Sequence, residues 1–179
     1  MHSIGATEEG GFLRMVREKK VYPLAEGITT QDTFAVLGDT LKFKKHKHAW
    51  KVWRALKDFG CTVYPVADGL GRIEGSKAYA NLAQLAGKAT VIVPCLLAEK
   101  LQLLAADASA AGCTKIWFQE QTWSKDLQEE CEKAGIQVIR GCVLRHKTYP
   151  AKVSLRYLSP CYWHGLRDAK VPVKGFGKY

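Results

Sequence analysis

Seven lysines and arginines and no acid stand between Lys42 and Lys57, within the stretch TLKFKKHKHAWKVWRALK. Positive charge at this density suits an anion. Asp39 and Thr40, just upstream, add polar atoms. A helix beginning here would add unpaired N–H groups and the positive end of its dipole. Metal chemistry is a poorer match. His46 and His48 lie two apart, a spacing that splays them on a helix, and no cysteine or carboxylate completes a ligand set. His146 and His164 are isolated in a basic tail. The six cysteines, Cys61, Cys95, Cys113, Cys131, Cys142 and Cys161, form no C-x-x-C pair. Without a secretory signal they read as reduced thiols of a reducing compartment, the cytoplasm or the mitochondrial matrix. Cys142 follows Gly141 at a strand's end, where it could face a ligand, although a core thiol is the commoner role. No nucleophile–base pair stands out, so no turnover is expected.

The elements that position the basic stretch come next. Phe34 to Leu37 is a short apolar run ending at Gly38. Ala49, Val52, Trp53, Leu56 and Phe59 then recur at helical spacing and mark one buried face. Three times a helical pattern ends at glycine and a β-branched or aromatic run comes after it: FGCTVYPV, AGCTKIWF and AGIQVIR. Gly60, Gly112 and Gly135 sit where a helix C-terminus favours a left-handed residue. The spacing predicts strands at 34–37, 62–66, 89–93, 115–118 and 137–140, the third stopped by Pro94. Helices are expected near 47–59, 97–111 and 124–134, with a shorter one near 79–86. The strands alternate little, as in a parallel sheet buried on both faces. The class is therefore α/β with right-handed crossovers.

Several nucleotide motifs are absent. No G-x-G-x-x-G or G-x-x-x-x-G-K-[ST] stands after the first strand; the next glycine after Gly38 is Gly60. The second strand ends in Pro65, Val66 and Ala67, without the acid that would hold a dinucleotide's ribose. Hydride-transfer enzymes and NTPases are thus poorly supported. The segment VADGLGRIEG, residues 66–75, is a glycine-rich loop past the second strand, either a ligand loop or a surface turn.

The chain of 179 residues divides into an arm (1–32), a domain (33–147) and a tail (148–179). No run approaches a membrane span. Net charge is −1 over residues 1–32, +4 over 33–142 and +7 over 143–179. The tail interleaves its bases with Tyr149, Tyr157, Tyr162, Trp163, Phe176 and Tyr179. Aromatics at that density are expected to dock on a partner protein or nucleic acid rather than complete the sheet.

From Thr33 to about Lys147 the chain resembles the small CoA-binding proteins, whose domain is similar to the N-terminal CoA-binding domain of the succinyl-CoA synthetase α subunit. The resemblance rests on the order and spacing of FAVLG (34–38), GCTVYPV (60–66), GSKAYANLAQL (75–85), ATVIVP (89–94), AGCTKIWFQ (111–119) and AGIQVIRGC (134–142). It implies a Rossmann-like fold, with helices on both faces of a mostly parallel five-stranded sheet, and a protein that binds CoA or an acyl-CoA without catalysis. By that resemblance the loop after Gly38, with Asp39, Thr40, Lys45 and Lys47, takes the CoA diphosphate. Val66, Val93 and Pro94 flank the adenosine, and Gln119 and Cys142 border the pocket. The chain departs from the family pattern in three places. The loop is DTLKFKKHKH where Ser, Pro and Asn are usual, Ala67 stands where Asn is common, and Glu120, Gln121 and Thr122 replace a glycine. These departures motivate a second reading, an accessory subunit of a larger assembly, in the mitochondrion for instance. On this reading the ligand is partly or wholly lost and docking runs through residues 1–32 and 148–179. A third reading is direct RNA or DNA binding through Lys42–Lys57 and the tail.

Overall fold

The structure, a computed structural model, describes residues 21–119 and 121–145. The tail and most of the arm lie outside the described residues, and the docking expected of them with it. A small antiparallel hairpin, β1 (Pro23–Ala25) and β2 (Ile28–Thr29), precedes the main sheet. Next come β3 (Thr33–Leu37), α1 (Thr40–Lys44), α2 (His48–Asp58) and β4 (Thr62–Val66). A second hairpin, β5 (Arg72–Ile73) and β6 (Ser76–Lys77), is succeeded by β7 (Val91–Pro94), α3 (Leu104–Ala110), β8 (Lys115–Phe118), α4 (Lys125–Lys133) and β9 (Gln137–Arg140). The five main strands run parallel in the order β4-β3-β7-β8-β9. The chain starts at β3, moves outward to β4, then crosses back to β7. That reversal makes β3 and β7 the topological switch point, where the loops leave in opposite directions and open a crevice.

Side-chain alternation along each strand feeds two cores. Phe34, Val36, Val91, Val93, Trp117 and Ile139 face one layer, formed by α2 through Val52, Trp53 and Leu56 together with Leu24 and Ile28 of the first hairpin. Ala35, Ile92, Ile116 and Phe118 face the other, formed by Leu82, Leu85, α3 and α4. The hairpin is fixed at the amino ends of the strands. The Lys115 Nζ donates to the Gly27 carbonyl at 2.6 Å and pairs with Asp32 at 3.1 Å. The described end of the arm therefore lies on this domain. It covers part of the face that α2 leaves bare.

Several local expectations need correction. The third strand begins at Val91 and includes Pro94 instead of stopping before it. Thr90 is drawn out of the strand because its hydroxyl and N–H bond to Asp32 and Thr33. Pro94 is tolerated because the β7–β8 ladder pairs only Val91 with Lys115 and Ile92 with Ile116, so no donor is required at its position. On the other side the ladder continues, with the Cys95 N–H donating to the Leu37 carbonyl at 2.8 Å. The helix expected over 97–111 shrinks to α3, preceded by a 3₁₀ turn at Ala98–Lys100. Leu97 and Leu103 are exposed, so the apolar spacing there does not describe one buried stripe. The short helix near 79–86 is a 3₁₀ turn, Leu82–Leu85, capped by Asn81. Residues read as a polar loop after Gly38 form α1, and the glycine-rich loop runs into the β5–β6 hairpin.

Candidate functional site

Leu37, Val66 and Pro94 lie side by side at the carboxyl edge, with Leu37 in register with both others. Gly38, Val66, Val93 and Pro94 are thereby brought together, as expected of the switch point. Val66 bridges to Tyr79, and its carbonyl accepts the Gly38 N–H at 2.9 Å. Gly38 is needed for close approach. A Cβ there would lie 2.5 Å from the Ala49 Cβ and 2.6 Å from the Phe43 ring. The space over Gly38 is therefore filled by the protein's own helices, with Phe43 and Ala49 fully enclosed.

Asp39 is the N-cap of α1. Its carboxylate accepts from the Leu41 N–H at 2.9 Å and the Lys42 N–H at 3.3 Å. Those amides are the donors a phosphate would otherwise use. Thr40 donates its hydroxyl to the Asp68 carbonyl and ties the β3 loop to the β4 loop. Lys45 closes α1 and Lys47 opens α2; both side chains are exposed. Unlike α1, α2 has no side-chain cap, and neither helix has an acid in its first turn. Between the helices His46 takes φ +52° and stacks on Trp50, with ring centroids 4.2 Å apart.

The β5–β6 hairpin straps onto the same helix. The Glu74 carboxylate accepts the Trp50 indole N–H at 2.9 Å and pairs with Arg54, while Lys57 donates to the Ser76 hydroxyl at 3.0 Å. Glu74 sits at φ +44°, a conformation a non-glycine residue holds only when its surroundings fix it. Its contacts link residues 20 and 24 positions apart, so nothing local in the sequence marks it. Asp39, by contrast, standing just before a helical stretch, is a readable cap.

Gln119 and Cys142 lie farther along the edge, past β8 and β9. Gln119 is buried and serves as a clamp. Its Oε1 accepts the Val143 N–H at 3.0 Å, its Nε2 donates to the Trp117 carbonyl at 3.2 Å, and its own N–H bonds to Thr122. Cys142 is buried close to Cys95; burial first, and Cys142 second, push the Cys95 thiol up, so Cys95 is a protonated thiol at neutral pH. Val143 and Leu144 then pack into the α2 layer, which carries the chain back across the strand ends. Among the described residues no cluster of three or more His, Cys, Asp or Glu could hold a metal ion, and no helix is long and apolar enough to cross a membrane.

Solved structures share this architecture. A conserved hypothetical protein from Pyrococcus furiosus is 27% identical with a TM-score of 0.55, over 62% of this chain and 92% of that one. A hypothetical protein from Pyrococcus horikoshii OT3 is 21% identical with a TM-score of 0.59, over 71% of this chain and 94% of that one. The apo form of dinucleotide forming acetyl-coenzyme A synthetase 1 from Ca. Korarchaeum cryptofilum is 20% identical with a TM-score of 0.52, over 60% of this chain and 25% of that far longer one. No curated protein matches. The family model described as CoA binding domain matches residues 32–147, which span the whole parallel sheet and its switch point, and the chain belongs to that family.

Proposed function

We propose that the protein binds CoA or an acyl-CoA at the carboxyl edge of the sheet and does not itself transform it. The observation that supports this most directly is the juxtaposition of Gly38, Val66 and Pro94 at the β3–β7 switch point, next to a lysine-rich segment, in a chain of this family. CoA is a polyanion, which suits the lysine-rich segment. The first-turn amides of α1 are occupied by the Asp39 carboxylate, and the space over Gly38 by Phe43 and Ala49. A diphosphate therefore matches Lys45, Lys47 and the uncapped start of α2 better than it matches Gly38 and Asp39. Bound there, CoA would bring a thiol or thioester to the edge; the chain's own residues would hold its charge and orient it.

Calorimetry with CoA, acetyl-CoA, NAD and ATP tests the proposal. Heat with a CoA species and none with NAD is the expected outcome; no heat with any CoA species at millimolar concentration rejects it. Asp39→Asn sharpens the test. Asparagine caps a helix as well as aspartate does, so the fold should be kept while one negative charge leaves the site. CoA affinity should rise by about threefold to tenfold, in line with the removal of one nearby like charge at moderate screening.

A second reading is favoured by the same two features. A capped α1 and a filled Gly38 are what a Rossmann-like domain would have if its ligand had been lost and the domain kept as an accessory subunit of a larger assembly. On that reading the calorimetry is silent, and the full chain co-purifies with a partner that a chain ending at Lys147 does not retain.

A further inference from the structure

The lysines of α1 and α2 outnumber those that a ligand at the strand ends can use. Phe43, Ala49, Val52, Trp53 and Leu56 turn inward. The opposite faces of the two helices therefore carry Lys42, Lys44, Lys45 and Lys47, all exposed, and Lys51, half-buried. Of the basic residues in this stretch, Arg54 is engaged by Asp58 and Glu74, and Lys57 by Ser76 and the Trp53 ring. The five lysines just named have no acidic partner among the described residues. Like charges crowded without counter-charges repel one another and destabilise the compact state. A surface that keeps them is matched to a polyanion.

The ridge also has an aromatic platform. His46 stacks on Trp50 with the ring planes 25° apart, and the Glu74 carboxylate holds the indole by its N–H. The ring pair sits in the middle of the lysines, between Lys45 and Lys51. Rows of cations that track a phosphate backbone, with a fixed aromatic surface among them, are the means by which proteins hold unpaired nucleic acid strands. A duplex offers phosphates without bare base faces, and an acidic protein offers carboxylates without bases. We infer that the α1–α2 ridge is a docking surface for single-stranded nucleic acid, with Lys42, Lys44, Lys45, Lys47 and Lys51 on phosphates and the His46–Trp50 stack receiving a base. The ridge shares Lys45 and Lys47 with the proposed CoA site, while Lys42, Lys44, Lys51 and the ring stack are its own, so either ligand can fail to bind without the other failing.

The test is fluorescence anisotropy of the full chain with labelled 12-nucleotide oligo(U) and oligo(dT), and with a duplex of equal length, between 50 and 200 mM KCl. Three variants are compared: a ridge triple (Lys44→Gln, Lys45→Gln, Lys47→Gln), a control triple on other exposed lysines (Lys100→Gln, Lys125→Gln, Lys133→Gln) and Trp50→Leu. All the lysines changed are exposed, so folding should persist; melting curves check it. The wild type should prefer the single strands. The ridge triple should bind about tenfold or more weakly and lower the slope of log K against log salt by about two. Trp50→Leu should weaken single-strand binding about fivefold without changing that slope, and abolish the preference over duplex. The control triple should change little. Stronger oligo(U) than oligo(dT) binding would make the partner RNA, the reverse DNA. The inference is overturned if the two triples weaken binding equally or if duplex binds as well as single strands.

Discussion

The two halves of the carboxyl edge are built on opposite terms. Past β8 and β9 the edge is sealed. Gln119 satisfies Val143 and Trp117 in a buried network, and Val143 closes over the strand ends. Past β3 and β4 the edge is polar and held by exchangeable bonds: Asp39 on α1, Thr40 on Asp68, Glu74 on Trp50 and Arg54. The same parallel strands end in both halves, so strand geometry does not decide which one stays open. The decision rests with the segment that leaves each strand, an apolar crossing segment in one case and, in the other, lysines with no acidic partner among the described residues. A ligand edge is thus local to a pair of loops and is not a property of the sheet as a whole.

Breaking the sealed half should cost most. Gln119→Ala leaves the Val143 N–H buried without its acceptor and opens a small cavity, for a loss of about 3 kcal/mol in urea unfolding. An unchanged midpoint would show that water replaces the amide and that the seal is porous. Next is Gly38→Ala, the point where the open half touches the core. Its methyl would collide with Ala49 and Phe43, and a loss of about 2 kcal/mol is expected, as for other overpacked sites. Glu74→Gln is milder. It keeps an acceptor for Trp50 while removing the charge that pairs with Arg54, in a half-exposed setting worth about 0.5 kcal/mol; double-mutant analysis with Arg54→Gln would isolate the pair.

A further effect is confined to alkaline pH. Burial pushes the Cys113 and Cys131 thiols from 9.0 up to about 11 in the fold, helped at Cys131 by Glu130 and Glu132. The unfolded chain loses these protons first. Their contribution to stability is therefore fully present below pH 9 and declines as pH rises through about 11. Urea midpoints at pH 8 and pH 10 should differ, and Cys131→Ala should reduce the difference.

Much of the fold was legible in the sequence for physical reasons. Gly60, Gly112 and Gly135 each take positive φ, as helix-ending residues do, and each stands shortly before a strand of the sheet. The apolar spacing from Ala49 to Leu56 survives as the buried face of α2. The features that escaped depend on distant contacts. The first hairpin has a two-residue second strand and owes its place to strands far along the chain. Leu97 and Leu103 mimic a helical stripe although they face solvent. At the site, the lysines and the strand ends could be found from residue type and position. The use of Phe43 as a plug over Gly38 and of Gln119 as a clamp could not, because each depends on where another segment comes to rest.

The anchoring of the first hairpin also sets an order of events during synthesis. Lys115 lies 88 residues after the carbonyl of Gly27 that it binds, and Trp117 and Ile139, in the same buried cluster as Leu24 and Ile28, come later still. At about 5–20 residues per second on the ribosome, the hairpin waits on the order of five to twenty seconds before its partners exist. Through that interval Leu24 and Ile28 lack the later strand residues of their cluster. During that time the hairpin is exposed to chaperones or to misassociation, and an element made before the strands it rests on is among the last to find its place.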